Sequence, residues 1–317
     1  MLMQRRSYSK DILIGKKTFS HRTKIVNGSI RKKMTKKLGI IGYPLGHSLS
    51  PLFQQAGLDA IGFDAKYNMW PTPPDQLKNR LTTLRDPNIL GVNVTVPHKE
   101  AVIPYLDALD STAEQLQAVN TIVNANGKLT GFNTDMFGFL NALEIDGQFD
   151  VQGKSAIIIG AGGSARAITT GLSLKGASSI TILNRSLVRS QSLAKEIAEY
   201  KAVVTGDELT TDSIKRLSPP DLLVNCTPFG MTGGDLEGAI PPIDSLLSPS
   251  TLVTDLVYNP SDTPLLRRAA ELGAKTLGGL PMLIYQGAAS FKIWTGKDAP
   301  IKTMLDTALK GLKQEVF

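Results

Sequence analysis

Cysteine and histidine are nearly missing from these 317 residues: one cysteine, Cys226, and three histidines, His21, His47 and His98. A lone thiol excludes a disulfide framework and any cysteine-based zinc site, so a reducing compartment, the cytoplasm, is the expected setting. Three scattered histidines give no ligand spacing, and no metal is expected. No run of about 18 apolar residues occurs, which removes a membrane-spanning helix from consideration. Acidic residues are scarce at one end only. Residues 1–37 hold twelve Lys or Arg against Asp11 alone, a net +11, whereas the whole chain carries +7, leaving −4 for the other 280 residues. The basic balance belongs to a tail. A nucleic-acid partner needs a basic face on the folded body and none is visible, so neither nucleic acid nor membrane is an expected partner. The tail is unpatterned and acid-poor, which predicts disorder over 1–37. It reads as a targeting peptide, or more simply as sequence upstream of a start at Met34.

What is present is long enough for two domains with cores of their own. "LGIIGYP" (38–44) reads as a strand running into a Gly/Pro loop, 51–61 as a helix, "AKYNMW" (65–70) as extended and "PDQLKNRLTTLR" (74–85) as a helix with proline near its start. "GVNVTVPHKE" (91–100) alternates Val92, Val94 and Val96, the pattern of a strand with one buried face, and a helical region follows near 101–117. This β-α-β-α-β order predicts a mostly parallel sheet covered by helices. Near residue 150 the pattern restarts. An apolar strand, a glycine-rich turn and a helix fill 154–176, and further strands are expected at 179–186, 221–228 and 251–260. The predicted fold class is therefore α/β, with two α/β domains and a cleft between them. The helical stretches 281–296 and 300–314 pack on either unit as far as periodicity tells.

"GAGGSA" puts Gly160, Gly162 and Ala165 at the small-residue positions of a dinucleotide turn, with Ala161, Gly163 and Ser164 between them. Small residues permit a tight turn, and the helix behind it offers free N–H groups to a pyrophosphate. Alone, the pattern also fits an ordinary βα turn; the flanking strand, helix and next strand make it a nucleotide site, hence a Rossmann-type domain. Where NAD-binding units carry an acidic residue after the second strand, this chain has Asn184, Arg185 and Ser186, with Arg189 one turn on. Guanidinium groups and a hydroxyl grip a 2′-phosphate that a carboxylate repels, so NADP(H) is the expected cofactor.

The first unit offers Ser48, Ser50, Thr95, Lys99, Asn120 and Asp135 at strand-to-loop junctions. Singly, each has a plain reading: Ser48 or Ser50 as a helix cap, Asn120 as a turn residue, Lys99 as a solvated cation, Asp135 as an N-cap. Jointly they suit a small polyhydroxylated acid.

At this point the sequence closely resembles the shikimate dehydrogenase family. The matching segments are "GYPLGHSLSP" (42–51), "NVTVPHK" (93–99), "AVNT" (118–121), "GFNTD" (131–135), "GAGGSARA" (160–167), "NRS" with Arg189, "NCTPFGM" (225–231), "DLVYNP" (255–260) and "GLPMLIYQGA" (279–288). They run in family order over 38–317. The resemblance implies NADPH-dependent reduction of 3-dehydroshikimate to shikimate, a step of aromatic amino-acid and chorismate biosynthesis. It implies Lys99 and Asp135 as the catalytic pair and Ser48 and Ser50 on the substrate carboxylate. Thr95, Asn120 and Gln286 would hold its oxygens with Tyr258 nearby, and Thr227 and Met282 would join Gly160 to Ala165, Asn184 to Ser186 and Arg189 at the cofactor. It further implies a substrate domain of 38–135 plus 282–317, a nucleotide domain of 136–281, and a monomer or homodimer. Leu49 departs from the lysine common between the two serines, and its side chain is expected to point away from the site. Quinate, alone or with shikimate, is the alternative substrate; a non-catalytic NADPH-sensing regulator is the alternative of another class, which the presence of Lys99 and Asp135 disfavours. His98 is expected to point to the opposite side from Lys99 and to be structural.

Overall fold

Leu38 and Ile40 face one apolar cluster and Ile41 faces another, because side chains alternate along a strand and this one has cover on both faces. That strand, β1 (Lys36–Gly42), opens a computed structural model that describes residues 35–46, 48–198 and 202–314. The disorder expected of the tail falls on residues 1–34, outside the described residues, while Lys36 and Lys37 already belong to β1, two residues before the expected start.

Among the described residues are twelve strands and ten α-helices in two six-stranded sheets. The first sheet is built from β1, α1 (Ser50–Ala60), β2 (Ala65–Pro71), α2 (Leu77–Thr83), β3 (Ile89–Val94), β4 (Ala108–Leu109), α3 (Ser111–Leu116), β5 (Thr121–Ala125) and β6 (Lys128–Phe132). Its strand order is β2-β1-β3-β5-β6-β4; only β5 runs against its neighbours. The sheet is mostly parallel, as expected. α4 (Asp135–Asn141) then leads into β7 (Ser155–Ile159), α5 (Gly163–Leu174), β8 (Ser179–Asn184), α6 (Leu187–Ile197), β9 (Val203–Glu208), α7 (Thr211–Lys215), β10 (Leu222–Asn225), β11 (Leu252–Asp255), α8 (Pro264–Glu271) and β12 (Lys275–Leu277). Their sheet is parallel throughout, in the order β12-β11-β10-β7-β8-β9. This is the doubly wound order of a dinucleotide fold, with the direction of winding reversing between β7 and β10.

Two expectations fail locally. Val96 lies beyond the end of β3 and is 66% exposed, because the strand ends at Val94 and the chain turns through Pro97. The region 101–117 is not one helix: Pro104 sits in a single 3₁₀ turn (Ile103–Tyr105), β4 follows, and Asp110 starts α3 afresh by accepting from the Ala113 and Thr112 amides. The hairpin of β5 and β6 is an addition to the expected elements. Its turn is Asn126-Gly127, both at positive φ (56° and 87°), the two-residue turn whose twist matches paired strands.

α9 (Leu280–Thr295) and α10 (Ile301–Gln314) return to the first sheet. Phe291 and Trp294 of α9 enter the cluster of Leu38, Ile40 and Tyr67, and the Trp294 indole donates to the Ile122 carbonyl at 3.0 Å. Met304 of α10 lies with Leu49 and Phe53, so Leu49 is turned into the core as expected. Gly91 makes this closure possible: a Cβ there would sit 2.1 Å from the Ile122 oxygen and 2.5 Å from the Trp294 indole nitrogen. Gly91→Ala is therefore expected to cost about 1–3 kcal/mol of stability, read as a lower urea midpoint, the cost of overpacking; an unchanged midpoint would contradict this packing.

Candidate active site

Lys99 follows the turn after β3 and Asp135 opens α4 just after β6; β3 and β6 are both antiparallel to β5, so an ammonium and a carboxylate come together from the same end of two strands of the first sheet. Lys99 Nζ donates to Asp135 Oδ2 at 2.6 Å and to Ser164 Oγ of the glycine turn at 3.1 Å. The side chains are only 14% and 6% exposed, so solvent screens the pair little. The lysine stem lies against Gly163. Lys99 thus stands where the residues of the first sheet meet the glycine turn, its amine aimed by a carboxylate.

The remaining polar residues form shells around this pair. Asn120, 2% exposed, donates to Asp135 Oδ1 and to Thr134 Oγ1, each at 2.8 Å, with Gln286 Oε1 at 3.3 Å. Its donors thus serve the protein itself, holding the carboxylate from the side opposite Lys99. Gln286, on α9, spends one of its two amide hydrogens on the Leu283 carbonyl. Ser48 Oγ accepts from the Ser50 amide at 3.3 Å, a loose local contact just ahead of α1, and no side chain caps that helix. Thr95 is half-buried at the end of β3, its methyl filling the space a Cβ at Gly42 would need. Tyr258 packs against the cluster of Leu49, Phe53 and Ile284, so a loop from the second sheet reaches the first. His98 is buried and bonded to the Thr72 carbonyl at 2.6 Å, away from Lys99, as expected.

On the nucleotide side, Gly160 has φ +110°, a conformation side chains avoid, and a Cβ would meet Thr227 Cγ2 at 3.1 Å. Gly162 precedes α5 with no side chain capping its first turn, and nothing lies within 4 Å of where its Cβ would be. The turn from Gly160 through Ala161, Gly163 and Ser164 to the buried Ala165 therefore presents bare amides at a helix start, which fits a pyrophosphate. Thr227, at the end of β10, faces it across the reversal of winding. At the end of β8, Asn184 bonds the Ser186 carbonyl, Arg185 and Arg189 are exposed, and the first turn of α6 has no acidic residue. These residues fit a 2′-phosphate. Met282 is 8% exposed within the core of the second sheet, so it backs that side rather than lining it openly. Among the described residues no group of three His, Cys, Asp or Glu is arranged to hold a metal ion, and no helix is long and apolar enough to cross a membrane.

Three family models match parts of the chain. Residues 40–122 match the shikimate dehydrogenase substrate binding domain, 142–227 match shikimate / quinate 5-dehydrogenase, and 279–309 match the shikimate 5′-dehydrogenase C-terminal domain. A shikimate dehydrogenase (NADP(+)) of Methanopyrus kandleri is 42% identical over 283 residues, covering 88% of this chain and 97% of the relative. The crystal structure of shikimate 5-dehydrogenase from Thermus thermophilus in complex with NADP(H) and shikimate superposes with a TM-score of 0.77 at 34% identity, over 87% of this chain and 99% of that one. A quinate dehydrogenase from Corynebacterium glutamicum in complex with NAD gives 0.79 at 32% identity, over 87% and 99%.

Sequence reading missed Asp255, the last residue of β11. It is fully buried, accepting from Asn225 Nδ2 at 2.9 Å, the Val257 amide at 3.0 Å and Thr263 Oγ1 at 2.7 Å. Asn225 in turn accepts from Thr227, so this carboxylate supports both the cofactor-side threonine and the loop that carries Tyr258. Burial nonetheless outweighs those donors and pushes the Asp255 carboxyl up to about 6. The Cys226 thiol beside it is pushed up by its own burial and then by Asp255. A carboxyl raised on folding favours the native state most at low pH, and that contribution is lost as pH rises through about 6. The ionised form therefore costs up to about 3 kcal/mol. Asp255→Asn, neutral throughout, is expected to gain stability relative to the parent between about pH 4 and about pH 7 in paired urea titrations; a pH-independent difference would contradict a buried, titrating Asp255.

Proposed function

The chain belongs to the shikimate dehydrogenase family, and from that premise we propose that Lys99 and Asp135 carry out the proton chemistry of its reaction. It is an NADP-dependent oxidoreductase interconverting 3-dehydroshikimate and shikimate, the step its family supplies to aromatic amino-acid and chorismate biosynthesis. NADP(H) supplies or accepts the hydride. As a carbonyl gains that hydride, its oxygen gains negative charge and needs a proton; the Lys99 ammonium stabilises the charge and delivers the proton along one line of approach. Asp135 orients the ammonium, and Asn120 and Ser164 fix the two ends of the pair. In the oxidation direction the lysine must first be neutral to accept the alcohol proton.

What supports the pair is one observation: the Lys99 amine lies within hydrogen-bond reach both of a buried carboxylate and of a residue in the nucleotide turn. Ser48, Ser50 and Thr95 are proposed to hold the substrate with Tyr258 and Gln286, and Asn120 to act through Asp135 as much as on the substrate. Gly160 to Ala165, Asn184, Arg185, Ser186, Arg189, Thr227 and Met282 are proposed to hold the cofactor. The corresponding domain division is 38–135 with 282–317 for substrate and 136–281 for nucleotide, supported by the packing of α9 and α10 beside α1. We further propose a cytoplasmic monomer or homodimer with no nucleic-acid or membrane partner. Quinate remains the second reading because a quinate dehydrogenase superposes equally well.

Initial rates with shikimate and quinate, each with NADP⁺ and NAD⁺, test the reading; shikimate with NADP⁺ is expected to give the highest kcat/KM, and a quinate preference would overturn it. Arg185→Ala is expected to raise the KM for NADP⁺ far more than that for NAD⁺. Lys99→Ala is expected to lower kcat by about 10²–10⁴ with a much smaller rise in KM. A Lys99→Ala variant that changes only KM would make the lysine a binding residue.

A further inference from the structure

A layer of buried hydroxyls lies behind the ion pair, and its hydrogen bonds can be assigned one by one. The Thr134 amide can only donate, so the atom of Asn120 it meets at 2.9 Å is Oδ1, and the Asn120 NH₂ faces Asp135. Oδ1 has two lone pairs, and the amide uses one. Two hydroxyls compete for the other: Thr121 at 2.9 Å and Thr134 at 3.1 Å. Thr121 and Thr134 are 0% and 3% exposed, so the hydroxyl that loses must find a second acceptor inside the protein.

Ser290, 0% exposed on α9, is that acceptor. Its Oγ lies 2.7 Å from Thr121 Oγ1 and 3.2 Å from Thr134 Oγ1, within reach of whichever is spare. It gives its own hydrogen to the Gln286 carbonyl at 3.0 Å and takes Asn93 Nδ2 at 3.1 Å, so its one hydrogen and both lone pairs are in use. Asn93 is oriented in turn by the Tyr67 hydroxyl, which donates to its Oδ1 at 2.7 Å; burial holds that phenol well above its usual range and hence protonated. Every polar group in the layer is satisfied only while Ser290 carries a hydroxyl.

We propose that Ser290 is a positioning residue for the reaction: by accepting the spare threonine hydroxyl it locks the Asn120 amide, which holds Asp135 toward Lys99. This rests on the catalytic reading of Lys99 and Asp135. Removing the hydroxyl strands one threonine hydrogen against an Asn120 oxygen that is already full, and the escape is rotation of Asn120 or Thr134. Removing the competing threonine hydroxyl as well relieves the conflict, since Thr134 alone can then donate to Asn120. The serine and Thr121 are therefore coupled in a specific direction: the second change repairs the first.

The test is a double-mutant cycle of Ser290→Ala and Thr121→Val, read by kcat, by the KM for shikimate and for NADP⁺, and by thermal unfolding. Ser290→Ala is expected to lower kcat about tenfold, the worth of a lost positioning bond, with the KM for NADP⁺ within about twofold of the parent. Thr121→Val alone is expected to change little, and the double variant to recover most of the kcat and melting temperature that Ser290→Ala loses. Ser290→Cys, which keeps a weak acceptor, is expected to fall between parent and alanine and serves if the alanine variant does not fold. Multiplying losses in the double variant, a Ser290→Ala kcat equal to the parent's, or equal damage to both KM values would overturn the proposal. A parent enzyme that does not turn over shikimate would overturn the functional reading instead, and the melting-temperature cycle would still decide whether Ser290 and Thr121 are coupled as described.

Discussion

A lysine ammonium that is 14% exposed and a carboxylate that is 6% exposed, 2.6 Å apart, set the terms for the rest of the molecule. Removing two charges from water costs more than their attraction returns unless their other hydrogen-bonding positions are filled, so such a pair is poor evidence of stability and good evidence of surroundings built to receive it. Here those surroundings are traceable. Asn120 fills one oxygen of Asp135, the Asp135 amide is capped by Asn133, and Asn133 is fixed to the Ala118 carbonyl. The hairpin of β5 and β6 supplies both ends of that arrangement, with Asn120 just before it and Asp135 just after. The one strand running against the first sheet is thus what lets a single turn of chain approach the lysine from two directions.

The nucleotide half meets this pair where its own topology has a gap. Winding reverses between β7 and β10, so the loops after those strands diverge and leave a crevice that neither helix layer covers. Gly160 and Thr227 lie on its two sides, and Ser164, one turn further on, touches Lys99. The buried Asp255 carboxylate stiffens the same region from below by tying together Asn225, Val257 and Thr263, and so three separate segments. Its high pKa marks this as an expensive brace, kept where the cofactor-side and substrate-side loops leave the sheet together.

Much of this was legible in the sequence because the signals are local. An apolar strand closing on "GAGGSA" and a second strand closing on "NRS" are contiguous, and their chemistry does not depend on distant residues. The pairing of Lys99 with Asp135 was to be expected only through resemblance, since 36 positions separate them and nothing in spacing joins them. The hairpin is readable in principle: "NANGKL" carries the Asn-Gly signal between two short alternating runs, a pattern of antiparallel pairing inside an otherwise β-α-β order. Ser290, Thr121, Asn93 and Asp255 were not readable at all. A serine in the middle of an apolar helix and an aspartate at the end of an apolar strand look like exceptions until the fold brings their partners from 169 and 30 residues away.

The histidine beside the lysine completes the account of how one side chain is aimed. A carbonyl accepts only, so at 2.6 Å from the Thr72 oxygen His98 Nε2 must carry the hydrogen. Thr72 is itself tied to the Gly42 carbonyl by its amide, so His98 fastens the turn after β3 to the ends of β1 and β2. One residue later, the Lys99 carbonyl accepts from the Val119 amide at 2.7 Å, fastening the same turn to the segment that leads to Asn120. Two consecutive residues are thus anchored to opposite sides of the turn. A backbone held on both flanks has little freedom to swing, and the entropy of ordering it is already spent in the folded chain. Only the four-carbon stem of Lys99 remains to be placed, and Gly163, with no side chain of its own, lets that stem lie flat against the nucleotide turn.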